Sequence, residues 1–269
     1  MSVIDIIKTI PLASKIFFIL FIVVSIFQIV LCFQEKNFLR KLVKPFCLLF
    51  LAISINIALP HHYFLYLAAY LGMVGDIFLI KNRHKLFFPL GTISFLIGHI
   101  FFYVETNLLL LRIGSPMPPY FHFIYWGLVI LVTLIICRPV SKKANMKFFT
   151  GLGGSFYYAI LAASLVMYSI ATARVFDKGL NNYLWLSIIG IVFFIVSDIT
   201  LGYTLFIKDI KRRDFYIMLT YLLAECLILT SFALTYFGNP SVFILWLNCF
   251  LLDILIIVQQ PSHDENIYF

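Results

Sequence analysis

The chain alternates long apolar runs with short polar or basic connections. Runs near residues 16–33, 43–59, 63–80, 87–104, 120–137, 149–171, 184–206, 214–237 and 241–258 each approach the roughly 20 residues that a membrane-crossing helix needs. Hydrocarbon offers backbone groups no partner, so such runs fold as helices. No hydrophilic stretch between them is long enough for a separate soluble domain. The pattern predicts an all-α fold, a multi-pass transmembrane helix bundle with eight spans over residues 1–237. A ninth, extra C-terminal span and a short cytoplasmic tail follow over 238–269. The first run, Ile16–Phe33, reads as a span and not a cleaved leader, being long for an h-region and lacking a small-x-small site.

Polar positions inside the runs are few, and two of them repeat. Val74-Gly75-Asp76-Ile77-x-Leu79 returns as Val196-Ser197-Asp198-Ile199-x-Leu201, a shift of 122 positions from Asp76 to Asp198. A carboxylate at the centre of a membrane helix costs about 2.5–3.5 kcal/mol on insertion scales. A chain that bears this cost twice, in one local sequence, is expected to use both acids together. The phrase falls in the third and seventh spans, which run in the same direction. This predicts parallel four-helix repeats about a pseudo-twofold axis along the membrane normal.

Composition excludes a soluble domain: 62% of residues are hydrophobic and only 12% charged, with a mean hydropathy of +1.02. The net charge of +8 does not point to nucleic acid, because the basic residues sit in the short connections. Counted on alternate sides of the nine spans, fifteen Lys and Arg fall on one side and five on the other. The positive-inside rule then places the N-terminus outside and the basic loops in the cytoplasm. Cys32, Cys47, Cys137, Cys226 and Cys249 all lie in apolar runs without a C-x-x-C pair, so neither a disulfide framework nor a zinc knuckle is indicated. Of the six histidines only His99 is deep in a span. No metal and no other cofactor is expected. The prolines stand at or near the ends of runs, which favours a fixed cavity over the interrupted helices of many transporters. Gly72, Gly75, Gly151, Gly153 and Gly154 read as points of close helix contact.

Helical rise places the ionisable groups at similar depth. Asp76 lies about 8 Å from the Lys81 end of its span and Asp198 about 15 Å from Lys208. Glu225 lies about 15 Å and His99 about 18 Å from the same side. Tyr103 is four residues after His99, and Tyr221 four before Glu225, so each phenol shares a helix face with an ionisable group. Gly72, four before Asp76, leaves room above that carboxylate for a partner helix or a ligand. Lys44, Asn82 and Arg83 stand where a phosphate headgroup would meet the membrane surface. The same residues also fit a purely structural network, with Lys44 snorkelling to the interface. Asp253, alone in the ninth run, reads as structural or interfacial.

As an ordered set, Lys44-Pro45, Gly75-Asp76, Gly91, His99, Tyr103, Ser197-Asp198 and Tyr221 resemble the YhhN-like family of lysoplasmalogenases over roughly residues 10–237. The resemblance implies an eight-span integral membrane enzyme that hydrolyses the vinyl ether bond of 1-alkenyl lysophospholipids. The products would be a fatty aldehyde and glycerophosphoethanolamine or glycerophosphocholine. Carried over by position, it implicates Lys44, Asp76, His99, Tyr103, Ser197, Asp198 and Tyr221. Two features depart from it: Glu225 stands where Gln or His is frequent, and the ninth span is an addition.

Vinyl ether hydrolysis needs an acid, a base and negative charge near a cation, roles that two carboxylates fill in glycoside hydrolysis. Asp76 and Asp198 are therefore the expected catalytic pair. Asp198, farther from the basic edge, is assigned the proton donor and Asp76 the ionised partner, although the reverse also fits. Lys44, Asn82, Arg83, His99, Tyr103, Ser197, Tyr221 and Glu225 are the expected substrate-binding residues. The expected partners are a lysophospholipid within the bilayer and surrounding membrane lipids, with no nucleic acid, in a bacterial plasma membrane. The competing expectations are a proton-coupled carrier or lipid transporter that uses the acids as a relay, and a non-catalytic lipid-binding or scaffold protein.

Overall fold

The computed structural model describes residues 11–35, 37–80, 86–143, 148–180 and 182–237. They form eight helices: α1 (Leu12–Phe33), α2 (Asn37–Ala58), α3 (Tyr63–Leu79), α4 (Phe87–Arg112), α5 (Pro119–Lys143), α6 (Phe148–Asp177), α7 (Trp185–Phe206) and α8 (Arg213–Phe237). All but α3 are long and apolar enough to cross a bilayer, and α3 is a shorter apolar helix. The chain is a multi-pass membrane helix bundle. The expected ninth span and Asp253 lie outside the described residues.

Several helices extend beyond their apolar runs. In α2 the segment Asn37–Lys44 is polar yet helical, so Pro45 stands inside the helix and not at its start. Pro139 is likewise inside α5. Pro139 nonetheless closes the apolar span Pro119–Pro139, because an apolar run reports the part of a helix within hydrocarbon and not where its hydrogen bonds stop. Pro45 has no N–H to offer the Lys41 carbonyl, and this happens beside the charged end of α2.

The packing order is duplicated. In the first half α1 packs on α2, α2 on α3 and α3 on α4; in the second α5 packs on α6, α6 on α7 and α7 on α8. The halves join in matching fashion. α8 touches α1 and α2; α4 touches α6 and meets α5 through stacked Tyr103 and Tyr125 rings, 4.7 Å apart. Enclosure follows from this order: 78% of the α8 membrane window is buried but only 22% of α5, which leaves α5 on the lipid-facing rim.

Residue-level contacts repeat as well. A Cβ on Gly98 would lie 3.3 Å from the Ala68 carbonyl oxygen, and one on Gly190 would lie 3.0 Å from that of Ala224. The shift from Ala68 to Gly190 is again 122 positions, and from Gly98 to Ala224 it is 126. With the same two shifts, the close approach of Gly91 to the Gly75 carbonyl maps onto Ser197, whose hydroxyl donates to the Ile217 carbonyl at 3.1 Å. Small residues permit these approaches where apolar surfaces alone give no preference between helix and lipid. Gly151 also abuts a neighbour, Ser141 of α5, whereas Gly153 and Gly154 meet nothing within 4 Å. The expected contact role therefore holds for Gly151 and fails for the other two.

Replacing Gly190 with Leu should force α7 from α8, since even a Cβ there would lie 2.8 Å from Ile228 Cγ1. A loss of about 1–3 kcal/mol is expected from overpacking, seen as a lower midpoint of thermal unfolding in detergent. Gly153→Leu, facing open space, should leave the midpoint unchanged.

Candidate functional site

Both repeated acids open onto one cavity of about 610 Å³, bordered by α1, α2, α3, α4, α7 and α8. Asp76 reaches it from the last turn of α3, and Asp198 from α7. The Lys44 ammonium of α2 lies 3.0 Å from Asp76 Oδ1, and the Tyr221 hydroxyl of α8 donates to Asp76 Oδ2 at 3.1 Å. Asp198 is held differently. The Tyr157 hydroxyl of α6 donates to Asp198 Oδ2 in a short hydrogen bond, and the adjacent Tyr158 hydroxyl donates to the Asp198 backbone carbonyl at 2.9 Å.

Asp76 is only 1% exposed, whereas Asp198 is half-buried. Counting turns from the basic edge had made Asp198 the more enclosed acid. The structure reverses this: Lys44 of α2 and Tyr221 of α8 close over Asp76, while Asp198 keeps a larger share of its surface open. What separates the two acids is the partner, a cation for one and phenols for the other.

The remaining expected residues divide into four groups. Lys44, Ser197 and Tyr221 line the cavity with the two acids, although the Ser197 hydroxyl is spent on the Ile217 carbonyl of α8. His99 and Glu225 are buried and are not part of its lining. The His99 ring stands edge-on to Phe194 at 4.5 Å, and its Nδ1 has no hydrogen-bond partner among the described residues. Glu225 sits one turn beyond Tyr221, and its Oε2 is also unpartnered. The space left by Gly72 is taken by Leu48 of α2 and by Tyr221 and Glu225 of α8, all close to where a Cβ would stand. Tyr103 is brought elsewhere: its hydroxyl bonds His122 of α5 at 2.6 Å. Asn82 and Arg83 lie outside the described residues.

Charged groups that the sequence did not single out complete the cavity mouth. Arg40 and Lys41 of α2, Arg213 and Asp214 of α8, and Asp209 all line it. Arg40 pairs with Asp214, and Arg213 with Asp209 at 3.2 Å. Arg212 lies over the Phe33 ring at 4.1 Å, tying the α7–α8 connection to the end of α1. These residues had registered only as members of the basic loops.

A second polar cluster occupies the opposite end of the bundle. Glu105 is fully buried, with His62 Nδ1 at 2.7 Å, the Tyr236 hydroxyl at 2.6 Å and Arg112 at 3.3 Å. It ties the α2–α3 connection, α4 and α8 together. Among the described residues, no group of three or more His, Cys, Asp or Glu side chains is placed to hold a metal ion.

No curated protein and no solved structure matches the chain. The family model of YhhN matches residues 38–232, from the start of α2 into α8, and so takes in both acids and their four side-chain partners. The chain belongs to the YhhN family.

Proposed function

We propose that this protein is a lysoplasmalogenase-type hydrolase, cleaving the vinyl ether bond of 1-alkenyl lysophospholipids by carboxylate acid/base catalysis. The observation that carries the reading is the pair Asp76 and Asp198, on one cavity with unlike partners. Family membership agrees with it. Lysophospholipid would enter with its phosphate at the cationic mouth, on Arg40 and Lys41, and with its alkenyl tail between helices. By the positive-inside rule this mouth faces the cytoplasm, in a bacterial plasma membrane.

The chemistry balances with the two carboxyl groups alone. Asp198 gives its proton to the β-carbon of the alkenyl ether, so an O–H bond breaks, a C–H bond forms and an oxocarbenium ion results. Asp76, kept anionic by Lys44, lies against this cation. Water adds to the cationic carbon and passes its proton to Asp76, which leaves a hemiacetal. Asp76 then protonates the glycerol oxygen while Asp198 recovers the hydroxyl proton, releasing aldehyde and glycerophospho-base. General acid catalysis supplies about 10²–10⁴-fold, and stabilisation of the cation by the fixed carboxylate supplies the rest.

A second reading, a proton-coupled carrier, is favoured by one observation: Glu225, buried beside Tyr221 with an unpartnered oxygen, extends the acids into a chain of proton-holding groups. Uptake into vesicles that depends on a proton gradient would favour it. Aldehyde release in detergent, where no gradient exists, favours hydrolysis.

Purified protein should release aldehyde from a 1-alkenyl lysophospholipid, whereas Asp76→Asn and Asp198→Asn, still folded, should release none; full activity in both variants would overturn the scheme. Lys44→Ala should chiefly lower kcat, because it strips the cation from a buried carboxylate. Breaking such a pair costs about 3–5 kcal/mol, so the thermal midpoint should fall too. A rise in KM alone would instead assign Lys44 to headgroup binding.

A further inference from the structure

The two halves can be aligned helix by helix, and the alignment assigns a role to a residue outside the expected set. Between α2 and α6 the matching shift is 113 positions, from Lys44 to Tyr157. Burial supports this shift without reference to the acids: Leu48, Leu51 and Ile55 fall on Leu161, Ser164 and Tyr168, all of them buried. Lys44 bonds Asp76 on the following helix. Tyr157 bonds Asp198, the counterpart of Asp76, also on the following helix.

We propose that Tyr157 is the positioning residue that reserves Asp198 as the proton donor of the pair, acting from the place that Lys44 holds in the first half. The inference rests on the hydrolytic reading for its catalytic meaning. A lysine beside a carboxyl group favours its anion by direct charge, whereas a phenol is neutral and can bond the group in either state. Tyr157 engages Oδ2, which leaves Oδ1 to carry the proton to substrate. Once the proton has gone, the Tyr157 O–H steadies the new carboxylate; Lys44, bonded to Asp76, reaches Asp198 only through its field and makes no ion pair with it. Tyr158 adds precision, since its bond to the Asp198 carbonyl fixes the backbone of the same residue against α6. Tyr157 itself is 5% exposed and is not part of the cavity lining, so it acts through Asp198 and not on the lipid.

The test uses full-length protein in detergent and two substitutions, Tyr157→Phe and Tyr157→Lys. Tyr157→Phe keeps the ring and removes only the hydroxyl, so kcat should fall about 10–100-fold, the range for losing one hydrogen bond to a charged group, with KM within about twofold. Infrared spectroscopy gives a readout that needs no turnover. One protonated-carboxyl carbonyl band of the wild type, separate from any contributed by Glu225, should be lost in Asp198→Asn and shifted in Tyr157→Phe. Tyr157→Lys should abolish the band and the activity, because it recreates the Lys44–Asp76 arrangement in the second half. Wild-type kcat in Tyr157→Phe, or no band lost in Asp198→Asn, would overturn the proposal. If the wild type releases no aldehyde while the band behaves as described, the hydrolytic reading fails and the Tyr157–Asp198 assignment survives it.

Discussion

A carboxyl group inside a hydrocarbon-facing bundle needs a partner or a proton, and the interior of this protein is arranged around four such groups. Two of them have cations at hand: Asp76 has Lys44, and Glu105 has Arg112, with the His62 ring also in hydrogen-bond contact. Among the described residues the other two, Asp198 and Glu225, bond no cation: phenols hold Asp198, which feels the Lys44 charge without bonding it, and Glu225 has an oxygen without a partner. A cation beside a carboxylate pins its charge and ties helices together. A neutral donor pins the geometry and leaves the charge able to change. The pinned pairs therefore serve as fixed points, at Asp76 on the cavity and at Glu105 at the far end, between which the changeable groups sit.

Much of this was legible because membrane packing leaves strong marks in a sequence. The eight helices follow from apolar length, and the repeat from one phrase that pairs Gly75-Asp76 with Ser197-Asp198. The illegible parts have identifiable physical causes. Tyr157 matches Lys44 at a shift of 113 positions, while the acids match at 122, because α6 runs farther past Tyr157 than α2 runs past Lys44 and the connection after it is also longer. No single offset reveals the pair, and a Lys and a Tyr do not resemble one another. Glu105 falls one residue beyond the apolar run that ends at 104, where apolar length carries no signal. The structure continues α4 to Arg112 and closes His62 and Tyr236 over it. Tyr103, although on the His99 face by spacing, turns to His122, since i,i+4 spacing sets a face and not a partner.

Helix contact and cavity place opposing demands on the same segments. Gly75 allows α4 to approach α3 one residue before Asp76, and Ser197 does so for α8 on α7 one residue before Asp198. Each acid is thereby mounted one residue from a close helix–helix approach. Their side chains are held from the next helices by Lys44, Tyr221 and Tyr157. Positioning on rigid elements with partners already engaged is what a reaction through a short-lived cation requires, because the stabilising charge has to be in place before the cation forms.

Duplication creates a difficulty that this arrangement resolves. Two equivalent halves supply two equivalent acids, whereas an acid/base reaction needs one protonated and one ionised group at the same moment. Exchanging one acid for a neutral residue would break the equivalence but lose a proton carrier. Changing the partner would preserve both carboxyl groups and still separate their states. Lys44 and Tyr157 stand at matched positions in the two halves, while the close approaches of α4 to α3 at Ala68–Gly98 and of α8 to α7 at Gly190–Ala224 recur. The asymmetry that the proposed hydrolysis would demand is thus carried by side chains beside the cavity, and the repeated packing of the bundle is left intact.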